Sequence, residues 1–141
     1  MKILLDEAVE IVKSLSEVHL NYLSLIFLCK QTKMNGINSI ESLKEHCEYI
    51  CAKMPVTNGI ESSIPFLYML RLLTISLGSA ADVYSKRYNL DIDKVKEILP
   101  LAMNSIPGDY SLTPVGIIIA IINIRNKTNL NLEFKIWIKS I

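Results

Sequence analysis

Reactive side chains are few: two histidines, His19 and His46, and three cysteines, Cys29, Cys47 and Cys51. A Cys–His nucleophile pair needs an imidazole within hydrogen-bond reach of a thiol. His46 precedes Cys47 directly, so on a helix the two side chains point about 100° apart. His19 falls beside the apolar stripe of the opening helix. Neither pairing follows from the spacing, and the expectation is that the chain is not an enzyme. Cys47 and Cys51, four residues apart, share a helix face and supply two thiolates at most. A closed zinc site takes four ligands, and no second Cys or His pair completes the set, so no metal is expected. None of the five glycines belongs to a phosphate loop or a dinucleotide fingerprint, and no cofactor is expected.

The carboxylates carry more pattern. Glu41, Glu45 and Glu48 recur at i, i+4 and i+7, an acidic stripe beside an apolar one. Glu10 and Glu17 repeat that spacing on the opening helix. Acidic rows next to exposed apolar side chains make a docking surface for another protein. These five glutamates are the candidate partner-binding residues. Tyr22, Tyr49, Tyr68 and Trp137 are of the types that anchor interfaces where they are exposed.

Residues 84–99 carry a third pattern. Tyr84, Tyr88, Leu90, Val95 and Ile98 take apolar positions, Ser85 a small-residue position, Asn89 the turn and Asp91 the cap of a second helix. This resembles the helix-turn-helix of many bacterial and phage repressors and implies a DNA-binding regulator. The chemistry of that second helix points the other way. Asp91, Asp93 and Glu97 balance Lys94 and Lys96, and no Arg, Asn or Gln precedes Pro100 to read base edges. A phosphate-binding surface is net basic; an ordinary corner of a helical bundle has no such need.

Length and composition bound the rest. A chain of 141 residues reads as one domain, 1–141. Half its residues are hydrophobic and its mean hydropathy is +0.32, which calls for an unusually aliphatic core or for a covered apolar surface. That surplus also admits a second copy of the chain as a partner. The formal net charge is +1, so no global field favours nucleic acid or an anionic membrane. The longest apolar runs, 23–29 and 115–122, fall short of the roughly 20 residues that span a bilayer. Asp6, Glu7 and Glu10 stand where a signal peptide needs apolar residues. With an odd number of cysteines on apolar positions, the chain reads as cytoplasmic.

The elements that must position these residues are helical. Leu4, Ala8, Ile11, Leu15, Val18, Tyr22, Leu25 and Cys29 step by fours and threes and predict one helix over 4–33. Asn35-Gly36 stops it, and Asn38 or Ser39 caps a second helix that Pro55 closes. Apolar spacing from Phe66 to Tyr88 predicts one helix, kinked at Gly78. Asp91 caps the next, which Pro100 bends or splits. Thr113-Pro114 starts a helix near 114–126 whose residues 115–122 are apolar all round and therefore central and buried. Residues 129–141 fit both a strand and a helix, and helix is expected because a lone strand finds no partner among helices. The expected fold is all-α, a single compact bundle of five or six helices.

Chain size, helicity and the lack of catalytic motifs lead to a non-enzymatic protein-binding protein. Its most concrete form is a small bacterial immunity protein that neutralises a toxin domain by direct binding. The alternatives are the helix-turn-helix regulator and a secretion chaperone or adaptor.

Overall fold

The computed structural model describes residues 2–106 and 108–130. The chain is mostly helical, as expected, but its described residues form eight α-helices and not five or six. The opening helix is two, α1 (Lys2–Val12) and α2 (Glu17–Lys30). Ser16 breaks it by turning to an extended conformation and capping α2. Its hydroxyl accepts the His19 N–H at 3.2 Å, and its own N–H donates to His19 Nδ1 at 3.2 Å. This is a capping box with an imidazole where a carboxylate usually stands. The apolar rhythm ran through the break because Leu15 and Val18 still pack on the core from either side of it.

Helix α2 is buried at every position from Asn21 to Lys30. Its main neighbour is α8 (Pro114–Lys127), capped by Thr113 with Pro114 in its first turn, as the sequence predicts. The two run antiparallel, since Glu17 meets Lys127 at one end and Gln31 meets Leu112 at the other. Helix α8 is buried at each residue from 115 to 121, whereas Ile122, expected inside, is 42 % exposed. A polar seam joins the pair. Asn123 donates to Asn21 Oδ1 at 3.1 Å and to Ser24 Oγ at 2.9 Å, and Asn21 donates to the Pro55 carbonyl at 2.8 Å. Helix α1 closes over the outside of α8.

The single helix expected through Phe66 and Tyr88 does not form. In its place come a 3-10 turn (Ile60–Ser63), α4 (Ile64–Met69), strand β1 (Leu73–Ile75) and α5 (Ala80–Tyr88). Two left-handed residues end the helical path, Arg71 at φ 61° and Gly78 at φ 115°. Strand β1 pairs antiparallel with β2 (Tyr110–Leu112), setting Leu73 opposite Leu112 and Ile75 opposite Tyr110. The expectation that no strand pairing exists in this fold is thereby corrected. Helix α3 (Ile40–Lys53) is capped by Ser39, with Ser42 as its reciprocal partner. Pro100 splits the following helix into α6 (Ile92–Ile98) and α7 (Leu101–Asn104). The helix expected over 129–141 falls, from residue 131 on, outside the described residues.

Side chains from α2 and α5 tie these layers together. The Arg87 guanidinium donates to the carbonyls of Cys29, Lys30 and Thr32 at 2.7, 2.8 and 2.8 Å. It thereby satisfies carbonyls that the end of α2 leaves without intrahelical partners. Lys30, itself buried, sends its ammonium to the carbonyls of Gly78 and Gly108. The Gln31 amide accepts the Leu112 N–H at 2.7 Å and donates to the Leu112 carbonyl at 3.1 Å.

Candidate partner-binding surface

Helix α3 buries Leu43, Cys47 and Ile50 and turns Glu41, Glu45 and Glu48 to solvent. The i, i+4, i+7 spacing puts the three carboxylates on one face. Lys44 reaches Glu48 at 4.0 Å, an exposed contact. Lys44 stands within the same face, so the row carries three carboxylates and one ammonium, a net negative charge. Helix α3 packs on α6 and α7, whereas α1 packs on α8.

Glu10 and Glu17 do not form a second row of the same kind. The turn at residues 13–16 puts them on different helices. Glu10 pairs with Lys13 at 3.0 Å. Glu17 pairs with Lys127 at the far end of α8, and the hydrogen bond and charge of that ammonium hold its carboxyl below the usual range. Of the five candidate glutamates, the fold therefore brings together the three on α3.

The expected anchors divide. Tyr22 is buried, its hydroxyl donating to the Ser105 carbonyl at 2.7 Å. Tyr49 is half-buried, and its oxygen accepts the Asn129 N–H at 3.1 Å. Tyr68 is exposed and meets Tyr110 edge-on at 5.7 Å. Trp137 lies outside the described residues.

Cys29 and Cys47 are buried, and Cys51, His19 and His46 are half-buried. Burial pushes the Cys29 and Cys47 thiols up to about 12 and Cys51 to about 11. The Tyr84 hydroxyl lies fully buried beside Cys29 and Cys47, and burial raises it well above the ordinary phenol range. Burial lowers the His46 imidazole, whose Nε2 has no hydrogen-bond partner. Among the described residues no group of three or more His, Cys, Asp or Glu is placed to hold a metal ion. No helix among them is long and apolar enough to cross a membrane.

Exposed apolar residues form two further features that the sequence did not single out. One is a cleft of about 340 Å³ between α1 and α8, lined by Leu5, Val9, Val12 and Ile122 among others. The other surrounds β1, where Met69, Ile75 and Leu77 all project into solvent. Leu77 falls within the helix expected through Phe66 and Tyr88, and the loss of that continuous helix is what exposes it.

The unit at residues 84–99 is a real helix–turn–helix corner. Asn89 ends α5 in the left-handed conformation, and the Asp91 side chain accepts the Lys94 N–H at 3.4 Å. Its second helix exposes Asp93, Lys94, Lys96 and Glu97 together. Arg87, the one arginine of the unit, faces inward onto α2.

No curated protein and no solved structure matches the chain. A family model described as ":-like" matches residues 1–106 and 90–138, the first of which alone is more than half of the chain. By that match the chain belongs to the family so described, a description that names neither an activity nor a partner.

Proposed function

We propose that the protein is a non-enzymatic, cytoplasmic binder of another protein, and that it acts as a small bacterial immunity protein by covering a toxin domain. The observation that carries this reading is the α3 face, where Glu41, Glu45 and Glu48 stand exposed on one side of a helix anchored by Leu43, Cys47 and Ile50. A row of carboxylates on a rigid element complements a basic surface, steers encounter and fixes register. The enclosure of Cys29 and Cys47 supports binding over nucleophilic chemistry, because a buried thiol pushed up to about 12 carries almost no thiolate at neutral pH.

The test is charge reversal. Wild type and a Glu41→Lys, Glu45→Lys, Glu48→Lys variant are used as baits in the native host, and captured proteins are identified by mass spectrometry. A partner held by wild type and lost from the variant is the expected result, and co-expression then shows whether it is a toxin that wild type silences. Identical captures by both baits overturn the role of this face.

The helix–turn–helix corner supports a second reading, a DNA-binding regulator. Its exposed cations on the second helix are Lys94 and Lys96. If DNA is retained at low salt and Lys94→Glu with Lys96→Glu abolishes retention, that reading replaces the first.

A further inference from the structure

Strand β1 has one edge closed by β2 and, among the described residues, one open edge. Toward β2, the Ser76 N–H donates to the Asp109 carbonyl at 2.8 Å, and the Leu72 carbonyl accepts the Thr113 N–H at 3.0 Å. In an antiparallel ladder alternate residues send their main-chain groups to opposite sides. Those of Leu73 and Ile75 therefore point away from β2, and among the described residues Ile75 makes no main-chain hydrogen bond outside the β1–β2 ladder. The Ile75 side chain is 71 % exposed, and Leu77, two residues on, is 84 % exposed.

Soluble proteins guard such edges with lysine, proline, a bulge or an inward-pointing charge. Residues 72–79 contain none of these residues and no charge at all. Charge returns only at the two ends. Arg71 is exposed at the start of the strand, and Asp82, hydrogen-bonded to Ser79, lies beyond its end. The edge is thus apolar along its middle, basic at one end and acidic at the other.

We propose that this edge pairs antiparallel with the same edge of a second copy of the chain, joining two two-stranded sheets into one of four strands about a two-fold axis. An axis at Ile75 sets it opposite Ile75 of the partner subunit, as a hydrogen-bonded pair. It also sets Leu77 opposite Leu73 of the partner subunit, which covers the two most exposed apolar side chains of the segment. The same operation lays the Arg71 end of each copy against the Asp82 end of the other. A parallel pairing would set like charge against like. Self-complementarity of this kind is what an isologous contact requires, and a strand bearing one sign of charge satisfies only one end. The inference stands apart from the acidic face of α3, since the two surfaces share no residue.

Sedimentation equilibrium on the full chain tests it. Wild type is expected at twice the 15.9 kDa chain mass, and Ile75→Lys, which puts two ammonium groups at the axis, at the chain mass itself. Arg71→Glu provides an independent variant. It opposes acid to acid twice per dimer and should weaken association about tenfold. Adding Asp82→Lys should restore it. A wild type that stays monomeric up to millimolar concentration overturns the proposal. So does a dimer that survives both Ile75→Lys and Arg71→Glu, because another face must then hold it.

Discussion

Arg87 shows how one side chain can hold a helix end. The carbonyls of Cys29, Lys30 and Thr32 all accept from its guanidinium, whose planar fork reaches several acceptors at once. Lysine offers a point charge on a flexible stem. Arg87→Lys should therefore cost about 2 kcal/mol in urea denaturation, and a variant as stable as the parent would show that the three bonds contribute nothing net. His46 makes a prediction of opposite character. Burial lowers its imidazole below the ordinary 6.5. The unfolded chain therefore takes up the proton first as pH falls, so the stability is present above pH 6.5 and lost below it. The melting temperature of His46→Gln should change less between pH 7 and pH 5 than that of the parent. The Glu17–Lys127 pair does not blur this result. Its carboxyl lies below 4.5 in the folded state, so its contribution is lost only at lower pH.

The elements differ in how far they could be read from residues alone. Thr113-Pro114 and Asp91 announce their helices because capping is local chemistry, and each start stands where its cap predicts; of the two caps offered for α3, Asn38 and Ser39, it is Ser39 that holds the helix. The break at Ser16 was hidden, because apolar spacing reports which side chains meet the core and not whether the backbone between them is helical. Strand β1 was hidden for another reason. Three residues carry too little periodicity, and the partner that makes them a strand lies on β2, far along the chain. The α3 row was legible because i, i+4, i+7 spacing is a property of one helix, whereas the second row, Glu10 and Glu17, depended on an opening helix that is broken. Gly116 belongs at this scale too. A β-carbon there would stand 2.5 Å from the Leu72 carbonyl oxygen, so the first turn of α8 lies against the chain entering β1 only because that position is bare. Gly116→Ala must push α8 away from the sheet, against its better helix propensity. A net loss of about 2 kcal/mol or more is expected from thermal or urea unfolding, and a neutral result would mean that the helix and the strand move independently.

At the scale of the whole molecule, the cysteines serve as reporters of cooperativity. Cys29 and Cys47 sit in the core beneath α2 and α3, fully buried and protonated. Their reaction with an aromatic disulfide reagent in native buffer should be about a thousandfold or more slower than in the unfolded chain and should follow global unfolding as denaturant is added. Rapid native reaction at both would show that α2 and α3 open separately. Alkali should act through the same groups. Their thiols ionise near 9 when unfolded and near 12 when folded, so the stability they contribute is complete below pH 9 and drains away above it. The Gln31 amide, described above as a tie between layers, has a consequence for assembly as well. It occupies the outward N–H and carbonyl of Leu112 much as a neighbouring strand would, while α2 packs along β2. Among the described residues the sheet is thereby left with a valence of one. Two open sides would let copies add end on end without limit, whereas a plugged side and an open side can only close a pair and stop.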